Sequence, residues 1–342
     1  MSRPQGQQGS HPNEGSRLGS RPRGFLLRRF AAILLASTLS IAVPTASASE
    51  RVDANATHVR LAVNARGVAL VTYQARGRTF HTLVWGARNA LPPSRTVPQV
   101  HFRFDWSGGW KTSHRLVWKT FRNRCTKYDG PALAYLVAAC KARDGSYWAL
   151  QAWQPYLPHR GYPAWLPRQT EWELHVSHWT GSLASLEGYA DWAFGGQAHD
   201  LFGRLTYLGN PVYGFGTGRD GAPSDRYGRS LYIDTFDSAY GPGWKRETSI
   251  VFRTGSGAFC YSFWPTRDKT LPGYPDNLRP TGNGKRYRVS VEGPGVTPDV
   301  VWEGAGLHDF NSANPADVEY ERRMDALFMQ FLSNDRFCPT QR

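Results

Sequence analysis

The sequence predicts a mainly β protein, with antiparallel, sandwich-like sheets and one C-terminal amphipathic helix. Short runs of Leu, Tyr, Val, Ile and Phe are broken by Gly, Pro, Asn and Asp, most clearly from Phe202 to Trp264. Thirteen Trp, 16 Tyr, 35 Gly and 23 Pro in 342 residues favour strands and turns over long helices. Helical spacing of apolar residues is confined to the C-terminal end.

Taken in order, residues 1–48 read as a signal peptide. Six arginines precede an apolar run, Phe30 to Val43, and Ala46-Ser47-Ala48 offers a small-x-small cleavage site. The 14-residue run is shorter than the ~20 residues a spanning helix needs. Residues 49–57 are polar and are expected to fray. His58–Ala65, Val68–Ala75 and Thr79–Trp85 form a three-stranded meander, with turns at Arg66-Gly67 and Arg76-Gly77-Arg78. Val100–Asp105 alternates as a strand, Ser107-Gly108-Gly109 breaks it, and Leu116–Phe121 is a further strand candidate. Ala132–Ala142 and Ser146–Trp153 make a hairpin about Asp144-Gly145.

Residues 154–170 carry four prolines and read as a loop covering a sheet. Glu171–Trp179 and Leu186–Phe194 are strands, and the boundary between an N-terminal β-rich region (49–198) and a C-terminal one (199–342) falls near Gly195–Asp200. Pro265–Lys285 is a long loop, and Arg286–Val291 a strand. The helix follows: Asn314 caps it, Pro315 suits its first position, Asp317 and Glu319 suit its first turn, and Met324, Leu327, Phe328 and Phe331 form its apolar face.

The formal charge is +14, of which the leader's six arginines and one acid account for +5, leaving about +9. Such a balance attracts anionic polymers, but Lys and Arg look scattered along the chain and read as solubility charge. All four cysteines, Cys125, Cys140, Cys260 and Cys338, follow the leader. An even count in an exported chain predicts two disulfides, with three connectivities open. Proximity favours Cys125–Cys140, and elimination then joins Cys260 to Cys338.

Gly203-x-Leu205-x-x-x-Gly209-x-Pro211-Val212-x-Gly214, followed by Asp225-x-Tyr227-Gly228-Arg229, resembles the opening of a transthyretin-like or carboxypeptidase-regulatory-like β-sandwich. This chain departs from that pattern in having only ten residues between the two halves. The resemblance implies a non-catalytic module and transfers no functional residue. More broadly, the chain resembles secreted proteins of high-GC Gram-positive bacteria, which implies export and supplies no activity.

Most catalytic signatures are missing from the sequence. It contains no G-x-S-x-G, no H-E-x-x-H and no phosphate-binding glycine turn. His175 and His178, three apart on a strand, point to opposite faces, so no metal and no cofactor is expected. Paired carboxylates would suit glycan hydrolysis. The candidates are Asp234, Asp237, Glu171, Glu173, Glu187 and Glu303, with nothing to single out two of them. Trp106-Ser-Gly-Gly-Trp110 and Tyr240-Gly-Pro-Gly-Trp244 place large rings on Gly-rich turns, where ring faces can stack on sugars.

The expectation is therefore an exported, disulfide-stapled, non-catalytic binding or structural protein of the cell envelope or extracellular space. Trp106, Trp110, Tyr240 and Trp244 would contact polysaccharide. A carboxylate-dependent glycan hydrolase is the alternative, and a protein partner is a third reading. Nucleic acid is not expected as a partner of an exported chain.

Overall fold

Strands that alternate inward and outward side chains build the N-terminal half as two packed sheets. In chain order they are β1 (Glu50–Ala54), β2 (Thr57–Val63), β3 (Ala69–Ala75), β4 (Arg78–Trp85), β5 (Arg103–Asp105), β6 (Thr126–Lys127), β7 (Leu136–Lys141), β8 (Tyr147–Trp153) and β9 (Glu173–Trp179). The structure, a computed structural model, describes residues 49–91, 96, 100–157, 167–211, 216–217, 223–224, 230–248, 258–267, 278–292 and 297–332. The expected leader, Cys338 and residues 225–229 of the turn motif lie outside the described residues.

The sheets are β2-β3-β4-β5 and β1-β9-β8-β7-β6, all antiparallel. Val63, Val71, Tyr73 and Val84 of the first pack on Trp148, Leu150, Leu174 and Val176 of the second. Each such apolar side chain contributes ~1.5–3 kcal/mol on burial. The meander is as expected. Arg76 and Gly77, at φ 49° and 70°, supply the two left-handed positions of a tight hairpin. Cys125 and Cys140 are bonded, with Cα atoms 5.8 Å apart.

Two segments differ from the sequence-based expectation. Residues 50–54, expected to fray, pair with β9. Val52 and Ala54 turn into the core, while Arg76 grips Asp53 through two hydrogen bonds of 2.6 and 2.8 Å. Leu116–Phe121 is not a strand: Val117–Thr120 forms a 3-10 turn. Gly108 and Gly109 fold the chain back so that Trp118 stacks on His81 of β4, with centroids 3.9 Å apart.

The second half begins with the hairpin of β10 (Ser185–Ala193) and β11 (Ala198–Tyr207), in unbroken register. Then come β12 (Asn210–Pro211), β13 (Gly216–Thr217), β14 (Pro223–Ser224), β15 (Ser230–Ser238), β16 (Gly241–Thr248) and β17 (Ala258–Ser262). β18 (Thr266–Arg267), β19 (Leu278–Arg279), β20 (Arg286–Glu292) and β21 (Val300–Ala305) complete the strands. β17 lies beside β11, and β15 lies between β16 and β20. Leu201, Leu205, Phe259 and Phe263 pack on Ile233, Tyr287, Val289 and Val291, forming a second core.

Helix α2 (Pro315–Leu332) covers the other face of β11 and β17. Its Phe328, Phe331, Met324 and Leu327 meet Phe202 and Cys260. Asn314 caps the helix by accepting from Ala316 N–H at 3.1 Å. Cys260 is disulfide-bonded. No described helix is long and apolar enough to cross a membrane.

Candidate functional site

β5 ends at Asp105, which is 1% exposed. Its carboxylate accepts from the backbone N–H groups of Ser107 and Thr112, at 2.9 and 3.0 Å, and from both of their hydroxyls. Burial alone would raise this carboxyl's pKa; the four donors outweigh it and hold the value below normal. The loop so closed carries Trp106, the short helix α1 (Trp110–Ser113) and the Gly108-Gly109 fold-back. Gly108 sits at φ 65°, and a Cβ there would stand 2.5 Å from Trp118 Cδ1, so glycine is required.

The outcome is a rigid mount for two exposed rings. Trp106 stacks one face on Phe104, centroids 4.9 Å apart, and remains 55% exposed. Trp110 is 59% exposed. The segment is tethered again at the far edge of the same sheet. There Arg124 N–H donates to Val63 O at 2.7 Å, and Asn123 Oδ1 accepts from Val63 N–H.

Tyr240 and Trp244, the other expected pair, share the β15–β16 hairpin in a different sheet and are half-buried. Tyr240 donates its hydroxyl to Pro280 O at 3.0 Å. Trp244 packs against Phe236, and the Arg288 guanidinium lies 4.1 Å from its ring centre. These rings pack within their own sheet. Trp106 and Trp110 offer ring surface to solvent.

The carboxylates considered from sequence are all ion-paired. Asp234, 1% exposed, lies between its cross-strand neighbours Arg246 and Arg288, at 2.7 and 2.8 Å. Asp237 accepts from Gly243 N–H and pairs with Lys285, and these contacts lower its pKa. Glu171 and Glu173 bind Arg51, Glu187 binds Arg204, and Glu303 meets Arg286 at 3.6 Å. A cation beside a carboxylate favours its charged form, the opposite of what a general acid needs.

His175 and His178 face opposite sides of β9. His178 stacks on Trp148 in the first core, and burial lowers its pKa to about 4. His175 stacks on Trp153 on the other side. Among the described residues no group of three or more His, Cys, Asp or Glu could hold a metal ion.

A buried polar layer between the β8–β9 face and the β15–β20 face was not foreseen. Ser49, fully buried, donates its hydroxyl to Asp299 at 2.6 Å, and its carbonyl accepts from His175 Nδ1 at 2.7 Å. Trp153 and Gln151 also bind Asp299. Glu173 lies 3.0 Å from His175 Nε2, so Ser, His and Glu stand in a row as in a hydrolase triad. The geometry is that of an anchor: a carbonyl can only accept, so Nδ1 carries a hydrogen and cannot take one from Ser49. Nearby, Glu292 is 3% exposed and its Oε2 has no hydrogen-bond partner among the described residues. Burial, reinforced by Asp299 and Asp234 against the opposing pull of Arg246, raises its pKa to about 8.

One sequence signal could have exposed this layer. Arg288, Ser290 and Glu292 alternate with Val289 and Val291, marking a strand with one polar face. That the polar face is covered follows only from how distant segments meet. No protein-family model matches the chain, and comparison with curated proteins and with solved structures finds no match.

Proposed function

We propose that this is an exported, non-catalytic binding protein of the cell envelope or extracellular space, holding polysaccharide through Trp106 and Trp110. The observation that carries the reading is the mount: two rings more than half exposed, on a loop closed by four hydrogen bonds to one buried carboxylate. Exposed aromatic surface needs a reason when the loop is built to keep it exposed, and sugar rings stack on such faces. A preorganised loop also lowers the ordering cost of binding.

The test incubates the purified protein with insoluble cell wall and a panel of polysaccharides. Bound protein is measured in the pellet and new reducing ends in the supernatant. Retention without released sugar is expected, with Trp106→Ala and Trp110→Ala each weakening it on the order of tenfold, about 1.4 kcal/mol. Released sugar would overturn the reading in favour of a carboxylate-dependent hydrolase. One feature favours that second reading: burial raises the Glu292 pKa to about 8, the direction a general acid needs. Its burial weighs against it.

A further inference from the structure

We infer that the polymer held at Trp106 and Trp110 is an anionic polysaccharide, gripped by its carboxylate or phosphodiester groups. This rests on the binding reading above and adds the chemical class of the ligand. Between residues 103 and 124 stand six cations, Arg103, Lys111, Arg115, Lys119, Arg122 and Arg124, and a single acid, Asp105. All six cations are exposed. None forms an ion pair among the described residues. Asp105 is turned inward and fully engaged, so it does not offset their field.

These 22 residues therefore carry +5, more than half of the +9 outside the leader. Elsewhere the arginines are mixed: Arg60, Arg66, Arg78, Arg143 and Arg323 also form no ion pair among the described residues, whereas others do. Arg51, Arg76, Arg88, Arg204, Arg246 and Arg288 are all paired. What sets residues 103–124 apart is density: six unpaired cations in 22 residues, with one acid that is turned inward. It is the same segment that exposes the two tryptophans. Rings alone suffice for a neutral glycan; rings flanked by unpaired cations complement one that repeats a negative charge. Both ends of the segment are tied to the sheet, so the charges and rings stay in register.

The test compares affinities for polygalacturonate, its fully methyl-esterified form, a glycerol-phosphate polymer and single-stranded DNA, at 50 and 200 mM salt. Either charged glycan should bind at least tenfold tighter than the ester, and the two charged glycans separate carboxylate from phosphodiester preference. With four charged contacts and a slope of about −0.7 per contact, affinity should fall ~50-fold across that salt range. Lys111→Gln with Arg115→Gln should weaken binding to the charged glycan and flatten its salt dependence, leaving the ester unchanged. Equal binding of acid and ester, lost in Trp106→Ala, would overturn the anionic class and leave polysaccharide binding standing. Binding of no glycan would overturn both. DNA binding as tightly as the charged glycans, insensitive to Trp106→Ala, would also overturn this inference, because charge alone would then explain it.

Discussion

Replacing Asp105 by Asn tests whether the tryptophan mount is as rigid as its hydrogen bonds imply. The carboxylate presents two acceptor oxygens, one toward Ser107 and one toward Thr112, each taking a backbone N–H and a hydroxyl. Asn presents one acceptor and one NH2. The hydroxyl facing the NH2 can turn and accept, but the backbone N–H on that side is left without a partner. Losing one charge-assisted bond at a buried site costs ~1.5–3 kcal/mol. At ~2 kcal/mol the open loop becomes about 30-fold more populated. Amide hydrogen exchange at Ser107 and Thr112 should accelerate by that factor, and glycan affinity should fall in proportion to the loss of the closed fraction. The Asp105 pKa is lowered in the folded state, so its contribution is present above the unfolded value of about 3.8. It is lost as pH falls through the lowered folded pKa. Asp105→Asn should therefore remove part of the acid sensitivity of stability. Exchange rates within threefold of the parent, with unchanged affinity, would refute the mount.

Glu292→Gln should flatten the stability profile between pH 4.5 and about 8. There the folded protein holds a proton that the unfolded chain releases, so stability falls as pH rises, by about 1.4 kcal/mol per unit. Urea unfolding of both proteins at pH 5 and pH 8 reads the difference, and parallel profiles would sink the assignment. Asp234→Ala leaves Arg246 and Arg288 buried without their shared partner, and ~3–5 kcal/mol should be lost. A loss under ~1 kcal/mol in the same unfolding assay would mean that the two guanidinium groups escape to solvent. Cys125→Ser with Cys140→Ser removes a bridge spanning 15 residues, with an expected cost of ~3 kcal/mol by thermal melting. An unaltered melt would show that the Asn123 and Arg124 tether alone holds that segment.

Whatever depended on local pattern was legible before the fold was known. The meander, the Asp144-Gly145 hairpin, the Cys125–Cys140 bridge and the helix begun by Asn314 and Pro315 each follow from a few neighbouring residues. The capping and packing contacts of α2 bear that out. The exposed rings were legible too, because Gly108 and Gly109 cannot continue a strand and Trp106 and Trp110 flank them. The misses share a cause. Residues 50–54 look polar because Arg51 and Asp53 dominate the segment, and their partners Glu171, Glu173 and Arg76 lie far along the chain. Trp118 alternates plausibly with its neighbours as a strand residue until His81 gives it a stacking surface.

The cations of the ring-bearing segment stand out less in the sequence, for a related reason. Spread through residues 103–124, they form no run, and on paper Asp105 looks like a countercharge. Folding removes it from the balance by turning it inward onto four donors, while the cations stay outside. The same event that fixes the two rings thus uncovers the charge around them. Asp105 is in that sense the residue on which the proposed binding surface depends, although it is nearly absent from the surface. This is why its replacement, more than that of any single cation, should disturb ring contact and electrostatic grip together.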